Sequence, residues 1–543
     1  MKEKLIFGLP SLIVLHSFTI FPEYFISISI IYVLIASVLI TNNVYNFLIQ
    51  NVFSNCIAVI LFMSSYLIFN DDLLTVKILS FSNSFVNDYF GYFTKLTLCL
   101  FSSFFFCIIG SFLKEQKLTS FEYLLLILFA VLGFLLMCSS NDLLTGYLAI
   151  ELSAFSLYIL ASFKKVSSYS IDAGIKYFII GAISSAFYLL GSSFIYGFSG
   201  SINFSDLQNL FNCSSNFIPN FSFYFVLNFK QSNFITDNEM FLNSLSLYKI
   251  STIFSLFNIN FLEWGLSLII LSLFIKLALA PFHLWSLDVY ESSPTTSTFF
   301  FAVLTKLSVF VLLLRLCYQS FFSLKNCWQF YSIWIGIFSI FIGSLGGLTQ
   351  RKLKTLLAYS STSHMGYILI SFATGTYIGI QMFLFYFLLY MISGLCVWYC
   401  FLLIRLKQKI FKNKYSKELS DLVLLKKSNL GLSFCLTITM FSIAGIPPVI
   451  GFLAKTGIFL TVVGISFYYI ALFSISCSVI STFYYIRIIK TFYFETVLVG
   501  KLYYPINTLN TVILSFLIFL LVFLFLNPTF LYLISCKSIL CFL

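Results

Sequence analysis

The chain has 543 residues, 60% of them hydrophobic and 9% charged. With a mean hydropathy of +1.00 this excludes a soluble globular domain and requires an integral membrane protein of many spans. The formal net charge of +12 would suggest nucleic acid in a soluble protein; in a membrane protein it asks instead which side the basic residues face, and no nucleic-acid partner follows from it.

In chain order, residues 1–23 read as an N-terminal extension. Its apolar stretch 5–21 contains Pro10 and His16 and can be an extra span, a cleaved signal or an interfacial segment. No small-residue cleavage site follows, which argues against the signal. From Tyr24 the apolar runs are each long enough to cross a hydrocarbon core of about 30 Å. Spans are expected at 24–42, 52–69, 92–113, 121–139, 142–163, 173–197, 264–285, 295–316, 329–349, 353–373, 378–404, 430–461, 464–490 and 509–535, fourteen in all. The fold class is therefore all-α. Residues 24–120 are N-terminal transmembrane helices, and 491–543 form a loop and the last span. The connection 198–262, rich in Asn, Ser and Phe, is an insertion; its Ser222–Asn228 run is too short to span, and the loop is expected to pack on the membrane face or on a partner.

Assigning loops to alternate sides puts roughly 18 of the 31 basic residues in one set, among them Lys164, Lys165, Arg351, Lys352, Lys354, Arg405, Arg487 and Lys490. That set should face the cytoplasm or mitochondrial matrix. The thirteen cysteines are scattered, with no C-x-x-C pair, which favours buried thiols over Fe–S or zinc ligation. The 70 Phe and 33 Tyr residues suggest AT-rich coding, as in an organellar genome.

An internal repeat is visible. Tyr158-Ile159-Leu160-Ala161-Ser162-Phe163 recurs as Tyr367-Ile368-Leu369-Ile370-Ser371-Phe372, and Gly174-Ile175-Lys176-Tyr177-Phe178 as Gly379-Ile380-Gln381-Met382-Phe383. Units of five spans at 121–316 and 329–490 would then be related by inversion, since helices five spans apart run in opposite directions.

Ionisable residues inside the expected spans carry the functional reading. Glu151 lies about nine residues into its span, Lys276 about twelve and Lys306 about eleven, all near mid-bilayer. There a lysine costs about 2.5 to 3.5 kcal/mol on insertion scales and is beyond easy snorkelling. Pro281 follows Lys276, and Ala444-Gly445-Ile446-Pro447-Pro448 precedes Lys455, so two helices are expected to be interrupted next to a charge. Burial lowers an amine's proton affinity and a nearby carboxylate raises it, so a changing Glu151–Lys276 distance is a switch. Lys176 either belongs to this row or snorkels. His283 can relay or cap a helix end. His364, in Tyr359-Ser360-Ser361-Thr362-Ser363-His364, sits among hydroxyls that serve either a proton path or helix packing.

Ala149-Ile150-Glu151-Leu152, Ala173-Gly174-Ile175-Lys176-Tyr177-Phe178, Ala280-Pro281-Phe282-His283-Leu284-Trp285, Asp288-Val289-Tyr290-Glu291-Ser292-Ser293-Pro294-Thr295, Leu356-Leu357-Ala358-Tyr359-Ser360-Ser361 and Ala444-Gly445-Ile446-Pro447-Pro448 together resemble the antiporter-like subunits of proton-pumping NADH:quinone oxidoreductase (respiratory complex I), subunit 2 in particular. The resemblance implies fourteen spans in two inverted repeats. It also implies Glu151 and Lys276 as a charge pair, Lys306 as central relay and Lys455 as terminal group, with Lys176 at a position of less certain role. It implies no cofactor on this chain, NADH, FMN, Fe–S clusters and ubiquinone belonging to the assembled complex. Its implied partners are other membrane-arm subunits and lipids such as cardiolipin, and its implied location is the mitochondrial inner membrane, ahead of a plastid or bacterial membrane. A subunit of a multi-subunit cation/proton antiporter is the alternative.

Overall fold

The computed structural model describes residues 20–40, 46–69, 78–217, 261–407, 414–415, 418–495, 502–503, 505–540 and 542, except 114, 117 and 119. The 5–21 stretch up to residue 19 and the 218–260 part of the expected insertion, with Ser222–Asn228, lie outside the described residues.

The first described helix, α1 (Phe21–Ile40), takes Pro22 and Glu23 into its first turn, where a missing N–H removes no helical bond. The helix thus begins three residues ahead of Tyr24. There follow α2 (Asn46–Phe69), a hairpin of β1 (Ile78–Ser80) and β2 (Phe85–Asn87), α3 (Tyr89–Leu113), α4 (Glu122–Ser139), α5 (Leu143–Ala161), α6 (Ser168–Ser199) and α7 (Phe204–Phe217). Two of these helices start where a polar side chain can take orphan N–H groups. Asp142 makes a capping box with Thr145 on α5, and Ser167 accepts from Ser170 N on α6. Helix α6 ends at Gly200, which takes φ 69°, and α7 continues the polypeptide as a helix where the insertion was expected to begin.

Helix α8 covers residues 261–276, followed by α9 (Leu284–Ser292), α10 (Thr295–Val303) and α11 (Thr305–Leu314), which runs into a π-helical turn at Arg315–Ser320. Then come α12 (Lys325–Thr349), α13 (Leu353–Ala373) and α14 (Tyr377–Leu403). After these are β3 (Arg405–Lys407), β4 (Lys414–Tyr415), α15 (Leu425–Ser428), α16 (Leu430–Ala444), α17 (Gly451–Gly464), α18 (Tyr468–Tyr493), β5 (Leu502–Tyr503), α19 (Thr508–Leu526) and α20 (Thr529–Leu540). The short strands order β4-β3-β5, antiparallel, with Leu406 opposite both Lys414 and Tyr503.

Among the described residues, 11 helices have the length and apolarity to cross a membrane. The three further spans read from the sequence are the two interrupted ones and α13. At 21 residues α13 is long enough, but Ser360, Ser361, Thr362, Ser363 and His364 dilute its apolar face. Close approach compensates: a Cβ on Gly343 would meet Ser363 N at 2.7 Å and one on Gly366 would meet Ile340 N at 2.9 Å, so small residues let α12 and α13 pack backbone to backbone. The stretch Thr295–Ser320 is the most enclosed span, 94% of its apolar window being buried, and places Lys306 at the centre of the bundle.

Candidate functional site

The site is a row of buried ionisable side chains next to three helix interruptions. Two of these lie just before the prolines. Helix α8 ends at Lys276, and the chain turns through a Schellman motif: Leu279 N bonds Phe274 O at 3.2 Å, Ala278 N bonds Ile275 O at 3.1 Å, and Ala278 sits at φ 56°. The indole of Trp285 donates to Ile275 O at 3.1 Å, covering the exposed end of the helix. His283 was expected within a spanning helix; it lies in the turn instead, buried beside Tyr359 with ring centroids 6.0 Å apart. The second break follows Ala444. Gly445 takes φ 78° and Ile446 N bonds Phe441 O at 3.1 Å. A Cβ on Gly445 would lie 2.7 Å from Cδ of Lys455, so glycine is required for the turn and for the lysine stem crossing it.

The third interruption, at Leu304, has no proline or glycine in Thr295–Ser320 to announce it. The Phe301 carbonyl accepts the hydroxyls of Thr305 at 2.8 Å and Tyr290 at 3.3 Å, and the Ala302 carbonyl accepts that of Tyr390 at 3.0 Å. Hydroxyls inserted into the ladder thus divide α10 from α11, two residues before Lys306.

Lys276 Nζ and Glu151 Oε1 are 3.8 Å apart, with 14% and 16% of the side chains exposed. This is an ion pair too long for a direct hydrogen bond. From Lys276 a cavity of about 50 Å³, lined also by Ser153, Tyr158, Tyr290 and Thr305, reaches Lys306. That volume accommodates waters, each of which needs about 10–15 Å³ on this measure. Among the described residues Lys306 has no carboxylate within ion-pair distance; its ammonium lies 5.6 Å from the centre of the Tyr390 ring. Tyr390 also lines a second cavity of about 20 Å³ with His364, Tyr386, Ser442, Gly451 and Ala454. His364 Nδ1 is 2.7 Å from the Tyr386 hydroxyl and Nε2 3.2 Å from that of Tyr485. Beyond this, Lys455 donates to Ala444 O at 2.7 Å and lies 5.6 Å from the Tyr367 ring centre.

Glu151, Lys276, Lys306 and, through Tyr390, His364 are thus linked by contacts and cavities, with Lys455 at the second break. Lys176 is not: it pairs with Asp288 at 2.5 Å with both side chains about half exposed, away from the row.

The family model described as NADH:quinone oxidoreductase/Mrp antiporter, TM, matches residues 140–481, a stretch that contains every one of these residues. The chain belongs to this family. Within the NADH:quinone oxidoreductase/Mrp antiporter family it is 35% identical over 531 residues to NADH-ubiquinone oxidoreductase chain 2 of Marchantia polymorpha, covering 97% of this chain and 99% of that one. It is 34% identical over 476 residues to NADH-quinone oxidoreductase subunit N of Pelagibacter ubique, covering 88% and 89%. It is an antiporter-like membrane subunit of the subunit N and chain 2 type. A solved structure of respiratory complex I from Thermus thermophilus shares its fold with a TM-score of 0.71 at 21% identity, covering 95% and 99% of the two chains. The Mrp complex from Dietzia sp. gives 0.73 at 16% identity, covering 96% and 97%.

Two buried ion pairs were not singled out from the sequence. Glu23 and Lys95 are 2.6 Å apart and almost fully enclosed. Arg315 holds Asp88 in a two-pronged pair, Nη1 to Oδ2 at 2.9 Å and Nη2 to Oδ1 at 2.6 Å, while its Nε donates to Cys138 O at 2.9 Å. Lys95 and Arg315 lie near the ends of expected spans, where snorkelling is the default reading. Tyr386, Tyr390 and Tyr485 were missed for a different reason: among 33 tyrosines, a hydroxyl aimed at a histidine or at a distant carbonyl leaves no mark in sequence.

Proposed function

We propose that this chain translocates protons as a membrane-arm subunit of NADH:quinone oxidoreductase, along Glu151, Lys276, Lys306 and Lys455, with His364 between the last two and with Lys176 and His283 at its margins. The observation that carries this reading is the cavity of about 50 Å³ shared by Lys276 and Lys306: it joins two buried amines by a volume that admits water, so a proton can move between them without either side chain crossing the bilayer. Glu151 stabilises charge on Lys276, Lys306 receives it, and Lys455, at a broken helix end, passes it on.

In this reading residues 121–316 and 329–490 are the two inverted repeats, the basic loops face the matrix, and the membrane is the mitochondrial inner membrane. The chain itself carries no redox group; NADH, FMN, Fe–S clusters and ubiquinone are handled by other subunits. Partners are the other membrane-arm subunits, antiporter-like ones among them, and lipids such as cardiolipin. The test is Lys276→Ala in the assembled, vesicle-reconstituted enzyme. Coupled NADH oxidation should fall, and full pumping stoichiometry in a correctly assembled variant would sink the reading. Flavin and Fe–S absorbance should accompany the purified chain; their absence from an intact preparation would favour a cation/proton antiporter subunit instead.

A further inference from the structure

Tyr484 and Tyr485 are consecutive on α18, 0% and 1% exposed, with ring centroids 4.4 Å apart. The Tyr484 hydroxyl donates to that of Tyr485 at 3.4 Å, and Tyr485 stands 3.2 Å from His364 Nε2. The other imidazole nitrogen meets Tyr386 at 2.7 Å, on the wall of the cavity of about 20 Å³. One continuous line of exchangeable protons therefore runs Tyr484, Tyr485, His364, Tyr386.

Its outer end lies close to the basic rim. Arg487, three residues beyond Tyr484 and so about 4.5 Å along the helix, donates to the carbonyls of Leu348 and Gln350 at 2.6 and 2.5 Å, next to Arg351 and Lys352. Gly347 makes room for this approach: a Cβ there would fall 2.8 Å from the Tyr484 ring. Burying a hydroxyl is unfavourable unless it is bonded, and in a chain with 70 phenylalanines the ring alone is readily supplied. Two adjacent tyrosines, one bonded to the histidine and the other to its neighbour's hydroxyl, serve their hydroxyls.

We propose that Tyr484 and Tyr485 form a proton branch from the basic rim to His364, feeding the Lys455 half of the row independently of Glu151 and Lys276. This rests on the proton-relay reading above. A proton reaching Tyr484 Oη releases the one already there to Tyr485 Oη. Tyr485 gives its own to His364 Nε2, and the imidazolium gives its Nδ1 proton to Tyr386 Oη, which releases one to water in the cavity. Each oxygen keeps one proton, only O–H and N–H bonds change, and one proton has advanced.

The experiment uses the assembled oxidoreductase in proteoliposomes, with proton uptake and NADH oxidation measured together in H₂O and D₂O. Tyr484→Phe and Tyr485→Phe should each lower the coupled rate several-fold and remove most of its solvent isotope effect. The double variant should be no slower than either single one, because a serial chain is cut only once. Tyr399→Phe, which removes a buried hydroxyl bonded to Asn510 O at 3.0 Å away from the row, should match the parent. Wild-type rates in both single variants, or losses that multiply in the double one as independent packing defects do, would overturn the branch while Lys306→Met still stops pumping. Full pumping by Lys306→Met would overturn the relay reading itself, and the branch with it.

Discussion

Lys455 Nζ lies 2.7 Å from the carbonyl oxygen of Ala444, the last residue of the helix that precedes Pro447 and Pro448. A lysine thus supplies the donor that the interrupted helix no longer provides, at the end where the helix dipole favours a cation. Lys276, by contrast, is itself the last residue of the helix that breaks and faces a carboxylate. The two breaks therefore hold their amines by different means.

Removing the Lys455 amine with Lys455→Met should leave the Ala444 carbonyl unpaired, costing about 1.5–3 kcal/mol, and should abolish coupled pumping. Gly445→Ala should do nearly as much damage with the amine retained, because it meets both φ 78° and Cδ of Lys455 at 2.7 Å. Proton-to-NADH ratios on assembled enzyme check both, and an alanine variant with parental coupling would contradict the geometry.

Glu151→Gln should destabilise more than Glu151→Gln combined with Lys276→Met. The single change strands an ammonium that is only 14% exposed, whereas the double change removes both charges, and breaking such a pair costs about 3–5 kcal/mol when fully buried. Thermal unfolding of the detergent-solubilised complex measures the difference. Neither variant should regain pumping.

Arg315→Met should be more damaging to stability than to chemistry. It leaves Asp88 buried without the two-pronged partner it has at 2.9 and 2.6 Å, with a loss of about 3–5 kcal/mol. Adding Asp88→Asn should restore part of it, as read from the unfolding temperature; no recovery in the double variant would show that packing, not charge, dominates.

Burial, with Asp206 nearby, pushes the Asp142 carboxyl up to about 6 from an ordinary 3.8. Between those values the folded chain holds a proton that the unfolded one does not. The associated stabilisation is complete below the ordinary value and is lost as pH rises through about 6. Asp142→Asn keeps an N-cap acceptor and should flatten this slope. Unfolding midpoints from acid to neutral pH test it, and an unchanged slope would assign the titration elsewhere.

Both proline breaks and the depth match of Glu151 with Lys276 could be read in the sequence, because proline and mid-span charge violate rules that bilayer physics enforces locally. What escaped depends on distant pairing. Glu23 and Lys95 become partners only when the start of α1 meets the start of α3, and the arginine that holds Asp88 lies in a span far along the chain. The Leu304 interruption escaped because two of the three hydroxyls that make it belong to Tyr290 and Tyr390, residues outside the helix they open.

That difference separates the three joints in kind. Proline forbids the same backbone bond in every conformation, so the segments flanking Pro281 and Pro447 cannot reseal there. At Leu304 the carbonyls of Phe301 and Ala302 are held by three side-chain hydroxyls, and amides remain at hand to take their place. The joint just before Lys306 is thus the one of the three at which the backbone itself keeps its donors, so that what holds it open is side chains alone.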